Sequence, residues 1–384
     1  MNRPRFQLLA GCLLALLLFI AGVLAVGWPL QVRVDAPRLG MPVIDQPGAK
    51  MEVRLATSLP LMLPELQLSL DGPGGVAPLE LTESRWDGAV AVLTVVLPAL
   101  PDGAYALRLK TPTQVLQLQK AVFLRSSWPA TLRLVQIADL PPPGYEPLMR
   151  QFVAEMRVKK PDAVLVTGDI NYEGAASNIQ FIYSQLAQLD APVIMTAGNH
   201  ERTAWHRYLR IFGARDQRTN FGPLAILSLD SAHGRDALTP SAFRWLQHEL
   251  AHLDGRTPLV QIHHPVFSPG ATAVPEAGGT GGYLRGLRRA FIELCRQYDV
   301  AIVLSGHWHQ DAVYDSSGKF RADRVDFPGT KFVVTTALGA DVRQVFADSR
   351  TNNGYRWIEF TGGKLGAYSS DPRNPVPSTA LGSP

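Results

Sequence analysis

Cysteine is nearly absent from this 384-residue chain: only Cys12 and Cys295 occur, which excludes a secreted disulfide scaffold. Charge is sparse and almost balanced. Acidic and basic residues make up 18% of the chain and the formal net charge is +4, too little to build the field that nucleic acid requires. No nucleic-acid partner is expected. There is no Gly-x-Ser-x-Gly elbow, so the common serine-hydrolase arrangement is missing. Gly270–Gly286 is glycine-rich but fails the dinucleotide fingerprint, because Leu284 stands where a glycine is needed. With Arg285, Arg288 and Arg289 it reads equally as a lid over an anionic substrate or as a plain surface loop. Histidine is confined as well, with none before His200 and none after His309.

Long apolar runs are missing with one exception. Phe6–Val26 carries no charge and follows Arg3 and Arg5. Its length suits one membrane span of ~20 residues, and Val23-Leu24-Ala25 also fits a signal-peptide cleavage site. The arginines hold the N-terminus in the cytoplasm, so the remainder is expected on the exported side, membrane-anchored or periplasmic/extracellular. Leu9–Cys12 spells a lipoprotein box, but too few apolar residues precede it. Residues 1–29 are therefore read as a transmembrane anchor or signal peptide.

What is present divides into two patterns. From residue 30 to 128 apolar and polar residues alternate in short runs such as Met51–Thr57, Leu66–Gly72, Ala89–Leu97 and Ala104–Lys110. Turns such as Pro101-Asp102-Gly103 separate them. About seven short strands in ~100 residues predict a small immunoglobulin- or fibronectin-like β-sandwich, serving as a spacer or docking module. From residue 129 to 370 strands alternate with helices, which predicts an α/β domain. Helices are expected at Glu146–Val158, Asn178–Leu189, Arg202–Phe212, from Thr239-Pro240 onward, and at Tyr283–Tyr298. Strands are expected at Ala163–Thr167, Pro192–Thr196, Leu224–Leu229, Pro258–Ile262, Val300–Leu304, Lys331–Ala337 and Tyr355–Thr361. Residues 371–384 are rich in Pro and Ser and read as a disordered tail.

The strand ends carry the chemistry. Ala163–Val166 is wholly apolar, the mark of a strand buried on both faces, and Gly168-Asp169 follows it with Tyr172 three residues on. Other apolar runs end in Asp139, in Gly198-Asn199-His200-Glu201, in His263-His264-Pro265 and in Gly306-His307-Trp308-His309. Ligands gather at the carboxyl edge of an open α/β sheet. Imidazole, carboxylate and amide donors of this kind suit zinc, iron or manganese. Each motif alone is ordinary; five in order at strand ends point to a metal or acid–base site.

Together, Asp139, Gly168-Asp169, Gly198–Glu201, His263–Pro265 and Gly306–His309 resemble the calcineurin-like metallophosphoesterase superfamily across roughly Thr131–Phe360. Leu229-Asp230-Ser231 and the helix that follows resemble its middle section. Most members have Asp-x-His in the first motif, whereas this chain has Asp139-Leu140-Pro141. Asp169 with Tyr172 matches the GDxxY motif of the purple acid phosphatase branch, which also lacks that histidine.

The resemblance implies a metallophosphoesterase-like sandwich of mixed sheets flanked by helices. It implies phosphate-ester hydrolysis by two metal ions, Fe(III) with Zn, Fe or Mn, with a metal-bridging hydroxide as nucleophile. Asp139, Tyr172 and His309 would hold one ion and Asn199, His263 and His307 the other, with Asp169 shared between them. His200 would act on the phosphoryl or leaving-group oxygen. His264 reads as a partner to the ligands rather than a ligand, and the substrate would be a small phosphorylated molecule.

Two rivals compete. His248-Glu249-Leu250-Ala251-His252 matches the HExxH signature of zinc proteases, continued by Gly255. Yet Phe243, Leu246, Leu250 and Leu253 form the apolar stripe of that helix, which turns His248 and His252 to solvent. The second rival is a non-catalytic exported scaffold. Against it, every ligand position except the substituted histidine is filled.

Overall fold

The computed structural model describes residues 32–57, 66–170, 176–213, 215–232, 238–267, 284, 286–309, 311–321, 325–339 and 354–369. The predicted membrane segment, Tyr172, His233, nearly all of the glycine-rich stretch and the C-terminal tail lie outside them. Among the described residues no helix is long and apolar enough to cross a membrane.

The alternating N-terminal pattern builds a two-sheet sandwich. Its strands are β1 (Val32–Ala36), β2 (Val43–Asp45), β3 (Lys50–Thr57), β4 (Gln67–Gly72) and β5 (Gly75–Pro78). They are followed by β6 (Glu80–Asp87), β7 (Val90–Val96), β8 (Gly103–Lys110) and β9 (Val115–Leu124). One sheet runs β1-β3-β7-β6, the other β2-β9-β8-β4-β5. Inward residues such as Val53, Leu55, Leu93, Val95, Leu70 and Leu107 form their shared core. The strand count exceeds the expected seven because β2 and β5 are too short to show a period of two.

The second pattern gives two further sheets, of five and six strands, with helices outside both. β10 (Thr131–Ile137), β11 (Ala163–Thr167) and β12 (Val193–Thr196) belong to the first. In the second are β13 (Gln217–Phe221), β14 (Leu224–Leu229), β15 (Thr257–Ile262), β16 (Ile302–Ser305), β17 (Ala312–Tyr314) and β18 (Lys331–Val334). The chain then returns to the first sheet through β19 (Arg356–Thr361) and β20 (Lys364–Ser369). The sheet orders are β12-β11-β10-β19-β20 and β13-β14-β15-β16-β18-β17. Strands β10, β11 and β12 pair in parallel, as do β14, β15 and β16.

Side-chain alternation explains why these strands are apolar on both faces. Leu132, Leu134 and Leu165 point between the sheets, where they meet Ile226, Leu259, Ile302 and Leu304. Their neighbours Val135, Ile137, Val164 and Val166 point outward, onto α1 (Glu146–Lys159), α2 (Ala176–Leu186) and α3 (Trp205–Phe212). On the far side Leu227, Val260 and Val303 pack against α4 (Pro240–Ala251) and α5 (Arg288–Gln297). The mixed α/β layering matches the expected fold class.

Some boundaries differ for local reasons. The helix expected over Arg202–Phe212 is a 3-10 turn, Asn199–Ala204, followed by α3. The helix expected from Tyr283 begins only at Arg288, since Gly286 takes φ +75°. Thr239 does cap α4, its hydroxyl accepting Ala242 N–H at 3.1 Å. Strand β13 was not legible because its buried positions Gln217 and Thr219 are polar.

Candidate metal centre

Each motif residue stands just beyond a strand's carboxyl end. Asp139, Asp169 and Asn199 follow β10, β11 and β12; His263 and His307 follow β15 and β16. The first sheet therefore delivers carboxylates and an amide, and the second delivers imidazoles. The loops are stitched together as they leave the strands. Asp139 N–H donates to Gly168 O at 3.0 Å, Leu140 N–H to Asp169 O at 2.7 Å, and Gly306 N–H to His263 O at 3.0 Å.

The turns are tight. Asp139, Asp169, His307 and His309 have φ of 50°, 51°, 73° and 52°, a left-handed conformation costing roughly 1–3 kcal/mol each for a non-glycine residue. Such residues cluster where the surroundings over-determine them, and here the motif glycines allow close approach. A Cβ on Gly168 would fall 2.5 Å from His263 Nδ1, and one on Gly306 would fall 2.8 Å from Asp139 Oδ2. On Gly198 it would collide with Asp169 Oδ1.

Four groups converge on the ring of His263. Its Nε2 lies 3.0 Å from Asn199 Oδ1, 3.2 Å from His307 Nδ1 and 3.2 Å from Asp169 Oδ2. Its other nitrogen, Nδ1, faces the carbonyl of Thr167 at 2.9 Å. A carbonyl only accepts, so Nδ1 carries a proton and a neutral His263 turns its lone pair toward Asn199 Oδ1 and Asp169 Oδ2. Three acceptors then face one point, which a cation satisfies. Without one, the ring itself must take a proton. Burial opposes this, but Asp169 and then Asp139 overcome it and push the His263 pKa up to about 9.

The surrounding charges agree. Burial would raise the Asp169 carboxyl, yet His263 outweighs it and holds the group below the usual carboxylate range. Burial and then the His263 charge bring His307 down to about 4, keeping it a neutral donor of its lone pair. Asp139 is fully buried; its Oδ1 lies 3.3 Å from His309 Nε2, while Oδ2 accepts His307 N–H at 3.0 Å. Ligand atoms of Asp139, Asp169 and His263 lie within 4.8 Å of one another. Two buried carboxylates so close need positive charge between them, and the donor set fits metal ions.

His200 stands beside this cluster rather than in it. Its N–H donates to Asp169 Oδ1 at 2.9 Å, its Nε2 is 3.8 Å from Asp169 Oδ2, and its side chain is 37% exposed. Tyr172 lies outside the described residues. His264 is buried, with Nδ1 2.9 Å from Ser231 Oγ and its ring centroid 4.6 Å from that of His307. Burial, and then His263, hold its pKa far below the ordinary value.

Sequence reasoning assigned no role to Glu201, Gln136 or Ser231. Glu201 accepts the N–H groups of Asp169, Ile170 and Gly198 at 3.0, 2.9 and 2.6 Å. Gln136 Nε2 donates to Thr167 Oγ1 at 3.2 Å and to Ser305 O at 3.1 Å, tying the two sheets together behind the ligands. The available signal was a glutamine interrupting the apolar run of β10. Pro141 fills the place of the missing histidine and packs against Gly339, where a Cβ would lie 2.5 Å from its ring.

The HExxH segment does not form a site. His248 and His252 are exposed, and Glu249 Oε2 pairs with Arg218 Nη1 at 3.3 Å. His252 lies past the helix end, its Nδ1 2.7 Å from His248 O. Gly255, read as part of that longer motif, takes φ +76° in the turn that follows.

Comparison with known proteins agrees with this geometry. Residues 132–311 match the family model of the calcineurin-like phosphoesterases. A probable cyclic nucleotide phosphodiesterase of Synechococcus is 26% identical over 163 residues, 40% of this chain and 60% of that protein. A glycerophosphodiester phosphodiesterase of Enterobacter lignolyticus is 29% identical over 164 residues, 39% of this chain and 57% of its own length. The chain thus spans less than two thirds of these curated relatives. In three dimensions a purple acid phosphatase from yellow lupin (Lupinus luteus) seeds aligns with a TM-score of 0.53 at 13% identity. That alignment covers 88% of this chain and 73% of the lupin protein. Residues 132–311 thus match the calcineurin-like phosphoesterase family model, and the fold of the chain resembles that of a purple acid phosphatase.

Proposed function

We propose that this chain hydrolyses small phosphate esters at a dinuclear metal centre with a hydroxide nucleophile. The observation that carries the reading is the convergence of Asn199 Oδ1, Asp169 Oδ2 and His307 Nδ1 on His263 Nε2, all within 3.2 Å. His263 and His307 with Asn199 would hold one ion, and Asp139 and His309 with Tyr172 the other; Asp169 would serve both. When bound, such ions supply Lewis acidity that activates a water and neutralises charge on the phosphoryl group.

The protein's own residues do the rest. Thr167 O fixes the His263 tautomer, Asp139 Oδ2 holds His307 by its backbone, and Glu201 holds the Asp169 turn against the Asn199 turn. His200, anchored by its N–H to Asp169 and exposed at its ring, is placed to hydrogen-bond a phosphoryl oxygen or to protonate a departing alkoxide. The N-terminal run Phe6–Val26 supports placing the domain on the exported side of a membrane. Metal analysis of the purified domain, coupled to assays on a monoester and a diester of nitrophenol, tests the function. Two bound ions and chelator-sensitive hydrolysis are expected; a metal-free, inactive protein would refute the reading.

A further inference from the structure

The β-sandwich does not merely precede the phosphoesterase domain. Its turn Arg38-Leu39-Gly40-Met41 reaches into it. The turn is closed on itself, with Arg38 N–H donating to Met41 O at 3.1 Å and Met41 N–H to Arg38 O at 2.9 Å. Gly40 bridges in parallel to Ile194 of β12, and its carbonyl accepts Met195 N–H at 2.9 Å. The buried Gln217 seals this contact, its Nε2 donating to Gly40 O at 2.8 Å and to Met195 O at 2.7 Å. Strand β12 is the edge of its sheet, so the turn supplies the partner that the edge lacks.

The same turn grips the next helix. Arg38, only 1% exposed, donates from Nη1 to Leu209 O at 3.1 Å and also to Arg210 O. These carbonyls belong to the last turn of α3, where a helix runs out of its own donors, so a cation there complements them and the helix dipole. Leu39, also 1% exposed, sits in the helix-side core. The fit leaves no slack: Gly40 has φ +91°, and a Cβ on it would lie 2.8 Å from Phe212 O.

Strand β12 leads into Asn199, His200 and Glu201, and α3 leads away from them. The turn therefore holds both flanks of one metal-binding motif. We infer that the β-sandwich is a positioning element of the metal centre, acting through the Arg38–Met41 turn on the loop that bears Asn199 and His200. This inference rests on the metal-centre reading and assigns the sandwich a role other than spacer or docking module. Arg38 is the positioning residue. Because Asp139 and His309 stand on other loops, the effect is greatest at the Asn199 half of the centre and reaches the other half only through Glu201 and Asp169.

Titration of Mn2+ into metal-stripped full chain by calorimetry, with amide hydrogen exchange in parallel, tests it. Arg38→Met keeps the aliphatic stem but loses the cation, and should weaken one of two Mn2+ sites about tenfold, the scale seen for outer partners of metal ligands. The other site should weaken less, and exchange should quicken over residues 197–212 and at Asp169 and Ile170, which Glu201 holds, but not over 163–168 or 302–307. Arg38→Lys, which keeps a cation without the planar fork, should fall between; it also serves should Arg38→Met fail to fold. Leu250→Ala, in the core of the opposite layer, should lower Tm without altering either site. Equal weakening of both sites, or an Arg38→Met profile like that of Leu250→Ala, would overturn the inference. A wild-type chain that takes no Mn2+ defeats the metal reading instead; the exchange experiment then decides the brace alone, and unaltered exchange over 197–212 overturns it.

Discussion

Glu201 Oε2 accepts the backbone N–H of Asp169 at 3.0 Å, so one buried acid sets the turn on which another is presented. The same side chain takes Ile170 N–H at 2.9 Å and Gly198 N–H at 2.6 Å. Burial, and then the charge of Asp169, push its pKa up to about 8. Glu201→Ala strands three buried N–H donors, each costing about 1–3 kcal/mol. The expected outcome is a loss on the order of 3 kcal/mol in urea denaturation, with metal content falling alongside. Wild-type stability in this variant would mean that water replaces the carboxylate.

Asp169→Asn should abolish turnover, because in the proposed centre Asp169 is the anionic group that would serve both ions. The loss should exceed the ~10–100-fold typical of outer partners of metal ligands. His248→Ala, exposed on α4, should leave activity near wild type. Steady-state rates on a nitrophenyl ester discriminate between the readings: the reverse pattern, with His248 essential and Asp169 dispensable, favours a protease.

Much of this was legible in the chain because strands buried on both faces advertise themselves. Ala163–Thr167 and Leu224–Leu229 were placed residue for residue, since runs that are apolar but for Thr167 and Ser228, bounded by Gly, Pro or Asp, have few alternatives. The motif residues could be placed at strand ends for the same reason, but they divide between two sheets instead of sharing the edge of one. What stayed hidden depends on partners far away in sequence. Gln217 is buried only because Gly40 and Met195 offer it carbonyls. Arg38 looks like a surface residue until Leu209 and Arg210 close over it. Glu201 gives no local sign that two of its three partners are N–H groups of the Asp169 loop.

Gly306→Ala tests how much of the site depends on close approach. A Cβ there would lie 2.6 Å from Ala138 Cβ and 2.8 Å from Asp139 Oδ2, so the loops bearing Asp139 and His307 must separate. Metal affinity should fall by at least about tenfold while the far-ultraviolet dichroism stays native. An alanine variant with unchanged metal affinity would show that these loops yield without consequence.

Asp216 gives a pH signature away from the metals. Burial raises its pKa from 3.8 to about 6, partly offset by the N–H of Asp230 at 3.0 Å. The folded state thus prefers the protonated form. Its favourable contribution is full below the unfolded pKa and is lost as pH rises through about 6. Asp216→Asn keeps the acceptor and does not titrate. Its Tm relative to wild type should therefore climb between pH 4 and 6 and level off above, as followed by calorimetry. A flat difference would mean that Asp216 is solvated in the folded protein.

Tyr172 stands three residues after Asp169 in the GDxxY pattern. Pro141 cannot ligate; it stands where the family resemblance would place a histidine, and it packs against Gly339. Asp139 and His309 alone would leave that ion short of donors. A phenolate is a hard anionic oxygen, better matched to trivalent iron than to zinc. With an ordinary pKa of about 10, it stays deprotonated at neutral pH only beside a strong Lewis acid. Iron-loaded protein should then absorb in the visible through tyrosinate-to-iron charge transfer and look violet to pink. Tyr172→Phe should bleach the band while Asp139, Asp169 and His309 still retain some metal. A colourless iron-loaded wild type, with Tyr172→Phe unchanged in metal content and rate, would make Tyr172 a packing residue and the centre an ordinary metallophosphoesterase site one ligand short.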